Sequence, residues 1–109
     1  MIDFVDERGE IRNVEHVAFI YSAKGTVRSN HYHRTNWHYL HVINGRMRYT
    51  ERAVGGGDDV DFVVGTGGVV FTPPNREHRT EFLEDTLIIS YAGMKPGGDY
   101  EADTVGVEW

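Results

Sequence analysis

GTVRSNHYHRTNWHYLHVING, residues 25–45, gathers three of the chain's six histidines into the eight positions from His31 to His38 and closes on an Asn-Gly pair. On an extended strand, residues i and i+2 share a face while i+1 points away. His31 and His33 therefore face together, and Tyr32 does not. His38 opens a further strand on which Leu40 and Val42 share its face, both apolar as an interior requires. Tyr39 and His41 lie on the other side. If the shared face is the inside of a β-barrel, His38 on the adjacent strand completes, with His31 and His33, a facial set of imidazole nitrogens around one metal ion. His41 falls outside that set.

The rest of the chain reads as strands and turns, with little room for helices. VEHVAFIYSA (14–23), rich in β-branched and aromatic residues, runs to a turn at Lys24-Gly25. TVRSNHYH (26–33) and WHYLHVI (37–43) follow. Asn44-Gly45 is a strong hairpin signal, because both residues tolerate positive φ, and it predicts that RMRYTER (46–52) pairs back on WHYLHVI. That register sets Val42 against Met47, Leu40 against Tyr49 and His38 against Glu51. It nominates Tyr49 and Glu51 as catalytic residues that contact substrate or orient His38. Gly55–Asp59 reads as a loop tip without a functional requirement. DFVV (61–64), GGVVFTP (67–73) and TLIISYA (86–92) are further short strands, and the tail from Lys95 to Trp109 reads as a loop with one last strand. Many short strands at close spacing, punctuated by Gly and Pro, predict an all-β sandwich or barrel. Residues 1–109 form a single domain in this reading, without internal repeats or linkers.

Composition removes several functions. The 109 residues contain no cysteine, so histidine and carboxylate are the available metal ligands. A net charge of -6 argues against nucleic acid, whose binding depends on clustered Lys and Arg. No apolar run approaches the roughly 18 residues of a membrane helix, and the acidic opening MIDFVDERGE is unlike a secretory signal. The expectation is a cytoplasmic protein without a membrane or nucleic-acid partner.

The spacing Gly25-x5-His31-x-His33-x4-His38-x6-Gly45 resembles the first motif of the cupin superfamily. Gly67-x5-Pro73-x-Asn75-x2-His78-x3-Phe82, in GGVVFTPPNREHRTEF, is similar to the second. The resemblance implies a single-domain cupin β-barrel, a double-stranded β-helix of jelly-roll type. It also implies one divalent transition metal ion held by His31, His33, His38 and His78, with no organic cofactor. Zinc is the first candidate, ahead of iron, nickel and manganese. Three positions depart from the family pattern. His38 replaces the usual glutamate, leaving no carboxylate in the ligand set. Asn75 replaces a glycine and keeps the left-handed turn within reach. Phe82 replaces a closing asparagine and becomes a candidate cavity wall.

Four neutral imidazoles leave the ion its full charge, which suits a Lewis acid acting on a carbonyl substrate. The resemblance thus points to an isomerase, epimerase or cyclase, such as a nucleotide-sugar modifying enzyme or a polyketide cyclase with Leu40, Val42, Met47 and Phe82 as apolar walls. Arg28, Arg34, Arg46 and Arg48 are sources of local positive charge, with Arg48 pointing outward. The alternatives are an iron dioxygenase, a non-catalytic small-ligand binding module, and a metal-free cavity with one or two histidines as general base. The partners expected are a small-molecule substrate and a second copy of the chain, paired through barrel edges as a homodimer.

Overall fold

The computed structural model describes residues 2–94 and 98–109. Its elements are β1 (Ile2–Asp6), β2 (Gly9–Val14), β3 (Val17–Ser22), β4 (Val27–His33), β5 (His38–Asn44), β6 (Arg46–Ala53), β7 (Asp59–Gly65), β8 (Val69–Thr72), β9 (Arg76–Phe82), β10 (Thr86–Ala92), α1 (Gly98–Asp103) and β11 (Thr104–Gly106). Every strand belongs to one of two antiparallel sheets, in the orders β1-β2-β3-β10-β5-β8 and β11-β4-β9-β6-β7. The sheets stack as a jelly-roll sandwich. The expected barrel is therefore an open one, with β1 and β8 as the edge strands of one sheet and β11 and β7 as those of the other.

Alternation builds the core. Along β5, His38, Leu40 and Val42 are buried while Tyr39 and His41 are exposed, the period-2 pattern of a half-buried strand. Met47 and Tyr49 of β6 and Phe82 of β9 meet Leu40 and Val42 from across the sandwich, and Ile88 of β10 joins them from the neighbouring strand of the same sheet. The inward facing of Met47, Tyr49 and Glu51 is as the sequence predicts, but the hairpin that led to it does not exist. β5 pairs with β10 and β8, whereas β6 pairs with β7 and β9 in the other sheet. Asn44-Gly45 is a crossing between sheets. Gly45 has φ 119, and Arg46 N donates to Thr86 Oγ1 at 3.2 Å, which ties the crossing to β10. Glu51 consequently stands opposite His78 rather than His38.

Four elements escape the sequence reading. The β1–β2 hairpin extends the first sheet. REHRTEF forms β9, a strand hidden by its charge: His78, Thr80 and Phe82 turn inward while Glu77, Arg79 and Glu81 oppose Arg52, Thr50 and Arg48 on the other face, Glu77 buried there. In the tail, residues 95–97 lie outside the described residues. The remainder supplies the short helix α1 before the expected last strand, β11.

Candidate metal centre

A bulge decides which side chains of β4 face inward. Ser29 and Asn30 both adopt positive φ, 81 and 52, and the pairing with β9 shifts between Ser29 and His31. The extra residue lets Arg28 and His31, three positions apart, share the interior face, opposite Thr80 and His78. His31, His33 and His78 each offer a ring nitrogen within 4.8 Å of the others, two strands of one sheet supplying all three.

His38 comes from the opposite sheet, which corrects the expectation that it lies on a strand adjacent to His31 and His33. Its Nε2 is 3.2 Å from Nε2 of His33. The turn that carries it across is pinned by Asp103 at the end of α1. That carboxylate accepts from Thr35 N at 3.0 Å, Thr35 Oγ1 at 2.9 Å and Asn36 N at 2.8 Å. Asn36 Oδ1 in turn accepts from Trp37 N and Met94 N. Asp103 is thereby spent on the backbone, and its carboxyl sits below the usual range because these bonds favour the anion over the opposing burial.

The outer ring nitrogens are held in place. Nδ1 of His33 lies 3.0 Å from Thr104 Oγ1, and Nδ1 of His38 lies 3.1 Å from Ser90 Oγ. Nδ1 of His78 is 3.4 Å from the carbonyl oxygen of Arg76. Such contacts fix ring orientation and leave Nε2 free for an ion. Burial, with repulsion from His33, holds His31 at a pKa of about 4. Burial, with His33 and His31, holds His38 at about 3. Desolvation also lowers His78 far below the ordinary value, and lowers His33 against a counteracting pull from Asp103. All four rings are neutral at pH 7, the form that binds metal.

The donor set fits a transition metal. Two imidazole nitrogens at about 2.0–2.1 Å from one tetrahedral ion are separated by about 3.3 Å, close to the 3.2 Å between His33 and His38. His31, His33 and His78 supply the set suited to an ion, with His38 beside them.

Above these rings opens a cavity of about 430 Å³, lined by the four histidines, Arg8, Arg28, His16, Leu40, Ser90 and Tyr100 among others. Of the four arginines nominated from sequence, Arg28 is the one that reaches it. Its Nε donates to Ser22 Oγ at 2.8 Å, and burial lowers its pKa. Tyr100, on α1, packs its ring 5.4 Å from that of His33 and 5.9 Å from that of His38. Burial raises its phenol to about 12. His16 lines the cavity with Nδ1 3.0 Å from the carbonyl of Ala92.

Tyr49 and Glu51 are not among the cavity-lining residues. The Tyr49 hydroxyl donates to Glu51 Oε1 at 2.7 Å and lies 3.2 Å from Thr72 Oγ1, and burial raises its pKa. Glu51 Oε2 accepts from Arg76 Nε at 2.6 Å. The expected apolar walls also change: Leu40 borders the cavity, whereas Val42, Met47 and Phe82 belong to the packed core. Asn75 keeps the left-handed turn at φ 61. Ser90 left a trace in sequence as a polar residue in the inward row of an apolar strand; Tyr100, on a six-residue helix, left none.

Residues 18–89 match the family model described as Cupin domain, and the chain belongs to this family. In structure it is similar to the capsular polysaccharide assembling protein CapF from Staphylococcus aureus, with 24% identity and a TM-score of 0.86 over 99% of this chain and 32% of that one. The sugar 3,4-ketoisomerase QdtA from Thermoanaerobacterium thermosaccharolyticum, in complex with TDP, has 15% identity and a TM-score of 0.70 over 95% of this chain and 82% of QdtA. Oxalate decarboxylase from Bacillus subtilis has 21% identity and a TM-score of 0.75 over 96% of this chain and 29% of that one. The chain thus spans about a third of CapF. At these identities the likeness is one of fold. No curated protein matches the chain in sequence. Among the described residues, no helix is long and apolar enough to cross a membrane.

Proposed function

We infer that this cupin is a metal-dependent enzyme that isomerises or epimerises a small carbonyl compound carrying an anionic group. The observation behind the reading is the convergence of neutral imidazoles from both sheets beneath a cavity that also receives the guanidinium of Arg28. His31, His33 and His78 would hold the ion, with His38 as fourth ligand and zinc as the first choice of metal. Bound there, the metal would polarise a carbonyl oxygen and ease removal of the neighbouring C–H proton.

The chain's own groups supply the rest. Arg28 would bind a carboxylate or phosphate oxygen of the substrate, a use supported by its burial without an ion-pair partner within 4 Å among the described residues. Tyr100, kept protonated by burial, would donate a hydrogen bond or a proton to the reacting oxygen. His16, with Nδ1 against a carbonyl, would carry its proton on that nitrogen and offer Nε2 as the base. Tyr49 and Glu51 would act through the structure, bracing Thr72 and Arg76. The sugar ketoisomerase neighbour adds support for this reaction type over cyclisation, as does the placement of Val42, Met47 and Phe82 in the core.

The test pairs elemental analysis of tag-free protein with NMR detection of deuterium exchange from solvent into a panel of keto-sugar phosphates and keto acids. Stoichiometric metal and metal-dependent exchange α to the carbonyl, lost in His78→Ala, are expected. A folded protein that takes up none of zinc, iron, nickel and manganese would defeat the reading, and oxygen consumption by the iron form would replace it with a dioxygenase.

A further inference from the structure

The cavity above the histidines has a second end, and that end is cationic. Along β3, Ala18, Ile20 and Ser22 share one face. Ala18 stands level with Ser90, whose hydroxyl lies against His38. Ile20 pairs with Ile11 and Ile11 with Phe4, and all three line the cavity. Ser22 Oγ then accepts from Arg28 Nε at 2.8 Å. On the facing sheet, His31 and Arg28 lie opposite His78 and Thr80, two positions of β9 and about 7 Å of strand apart. The cavity thus runs from the imidazoles, past an aliphatic belt, to Arg28.

Arg8, in the turn between β1 and β2, lines the same cavity. Its Nε donates to Asp6 Oδ2 at 2.8 Å, and Arg28 Nη2 donates to the carbonyl of Tyr21 at 3.2 Å. Among the described residues, nothing accepts from Nη1 of either guanidinium. The two charges act on each other: burial first, and then Arg8, lower the pKa of Arg28, with Asp6 opposing them. One carboxylate for two guanidiniums leaves a net positive charge at this end, where Arg28 is 8% exposed. A buried charge without a partner is costly, and an anion in the cavity relieves that cost.

We propose that Arg8 and Arg28 together bind a phosphate monoester on the substrate, which makes the β1–β2 turn a specificity element. A planar carboxylate presents one edge, which the free end of the Arg28 fork satisfies alone. A phosphate monoester presents three oxygens and nearly two negative charges, enough to engage both guanidiniums. The substrate class is a short phosphorylated keto compound, its carbonyl at the histidines and its carbon chain along Ile20 and Ile11. This assignment rests on the metal-dependent isomerase reading, but the anion end is measurable apart from the metal.

Calorimetric titration at fixed ionic strength tests it, with glycerol phosphate as probe and glycerate as its carboxylate counterpart. The wild-type chain should bind glycerol phosphate saturably and glycerate about tenfold or more weakly. Arg28→Gln should weaken glycerol phosphate binding about thirtyfold or more and Arg8→Gln about tenfold, whereas Arg12→Gln, exposed on β2, should change nothing. The Arg8 side chain is a third exposed, so Arg8→Gln carries the test should Arg28→Gln fail to fold. Absence of saturable binding, affinity indifferent to both substitutions, or glycerate bound as tightly as glycerol phosphate each overturns the proposal. Chelator-treated protein should keep phosphate binding and its dependence on both arginines. A chain that binds the phosphate in this way yet takes up no metal keeps the subsite and loses the enzyme reading. One that shows metal-dependent exchange but no phosphate binding loses the subsite alone.

Discussion

Lowering the pH of the metal-free protein from about 7.5 to about 5.5 should destabilise it strongly, before its carboxylates protonate. An unfolded histidine titrates near 6.5, whereas His31 and His38 in the fold titrate at about 4 and about 3. Their folded pKa values are depressed, so below about 6.5 the unfolded chain binds more protons and stability falls with pH. The contribution of these rings is complete above about pH 6.5 and is lost as the pH drops toward their folded values. Between about pH 7.5 and about pH 5.5, each such ring costs the native state about 1.4 kcal/mol. His31 and His38 together cost about 3 kcal/mol, and His33 and His78 act in the same direction. That is a large part of the 5–15 kcal/mol typical of a small domain. Urea denaturation of chelator-treated protein at the two pH values measures the difference, and His38→Gln should remove about 1.4 kcal/mol of it. Equal midpoints and slopes at both pH values would refute the argument, because they would mean that the four rings exchange protons as freely in the fold as in the unfolded chain.

Chelation at neutral pH should lower the melting temperature, since ligands assembled from two strands far apart in sequence, with His38 from the other sheet, would bind metal only in the folded state. His38→Glu should retain one ion per chain with a preference for harder metals, His38→Ala should bind it more weakly, and His41→Ala, on the exposed side of β5, should leave the metal content unchanged by elemental analysis. Tyr49→Phe should cost about 1 kcal/mol in a denaturation curve and leave metal content and turnover intact, whereas a collapse of turnover would restore Tyr49 to the chemistry. Gly45→Ala should destabilise the fold by about 2 kcal/mol or more, because φ is 119 and the new Cβ would lie 2.8 Å from the Asp85 carbonyl oxygen, as thermal melts would register.

What the sequence determined by itself was local and periodic. Alternation of period 2 along HYLHVIN sufficed to turn His38, Leu40 and Val42 inward and His41 outward, because a strand buried on one face must sort its side chains that way. The resemblance to the two family motifs, and not periodicity, singled out His78 beside the other imidazoles, and Asn75 could be read as a left-handed turn because its side chain tolerates that backbone. Tertiary structure decided everything that depended on which strands meet. An Asn-Gly pair permits a reversal but cannot choose between a hairpin and a crossing, so β6 went to the other sheet and carried Tyr49 into the core and Glu51 to His78. The bulge at Ser29 and Asn30, stabilised by pairing with a strand some fifty residues on, brought Arg28 into the cavity beside His31. Tyr100 reaches the site on a six-residue helix that shows no amphipathic repeat and is held by Asp103 to the turn before His38. Long-range pairing free energy, summed over whole ladders, outweighs the preferences of any one turn, which is why those placements could not be read from neighbours in the chain.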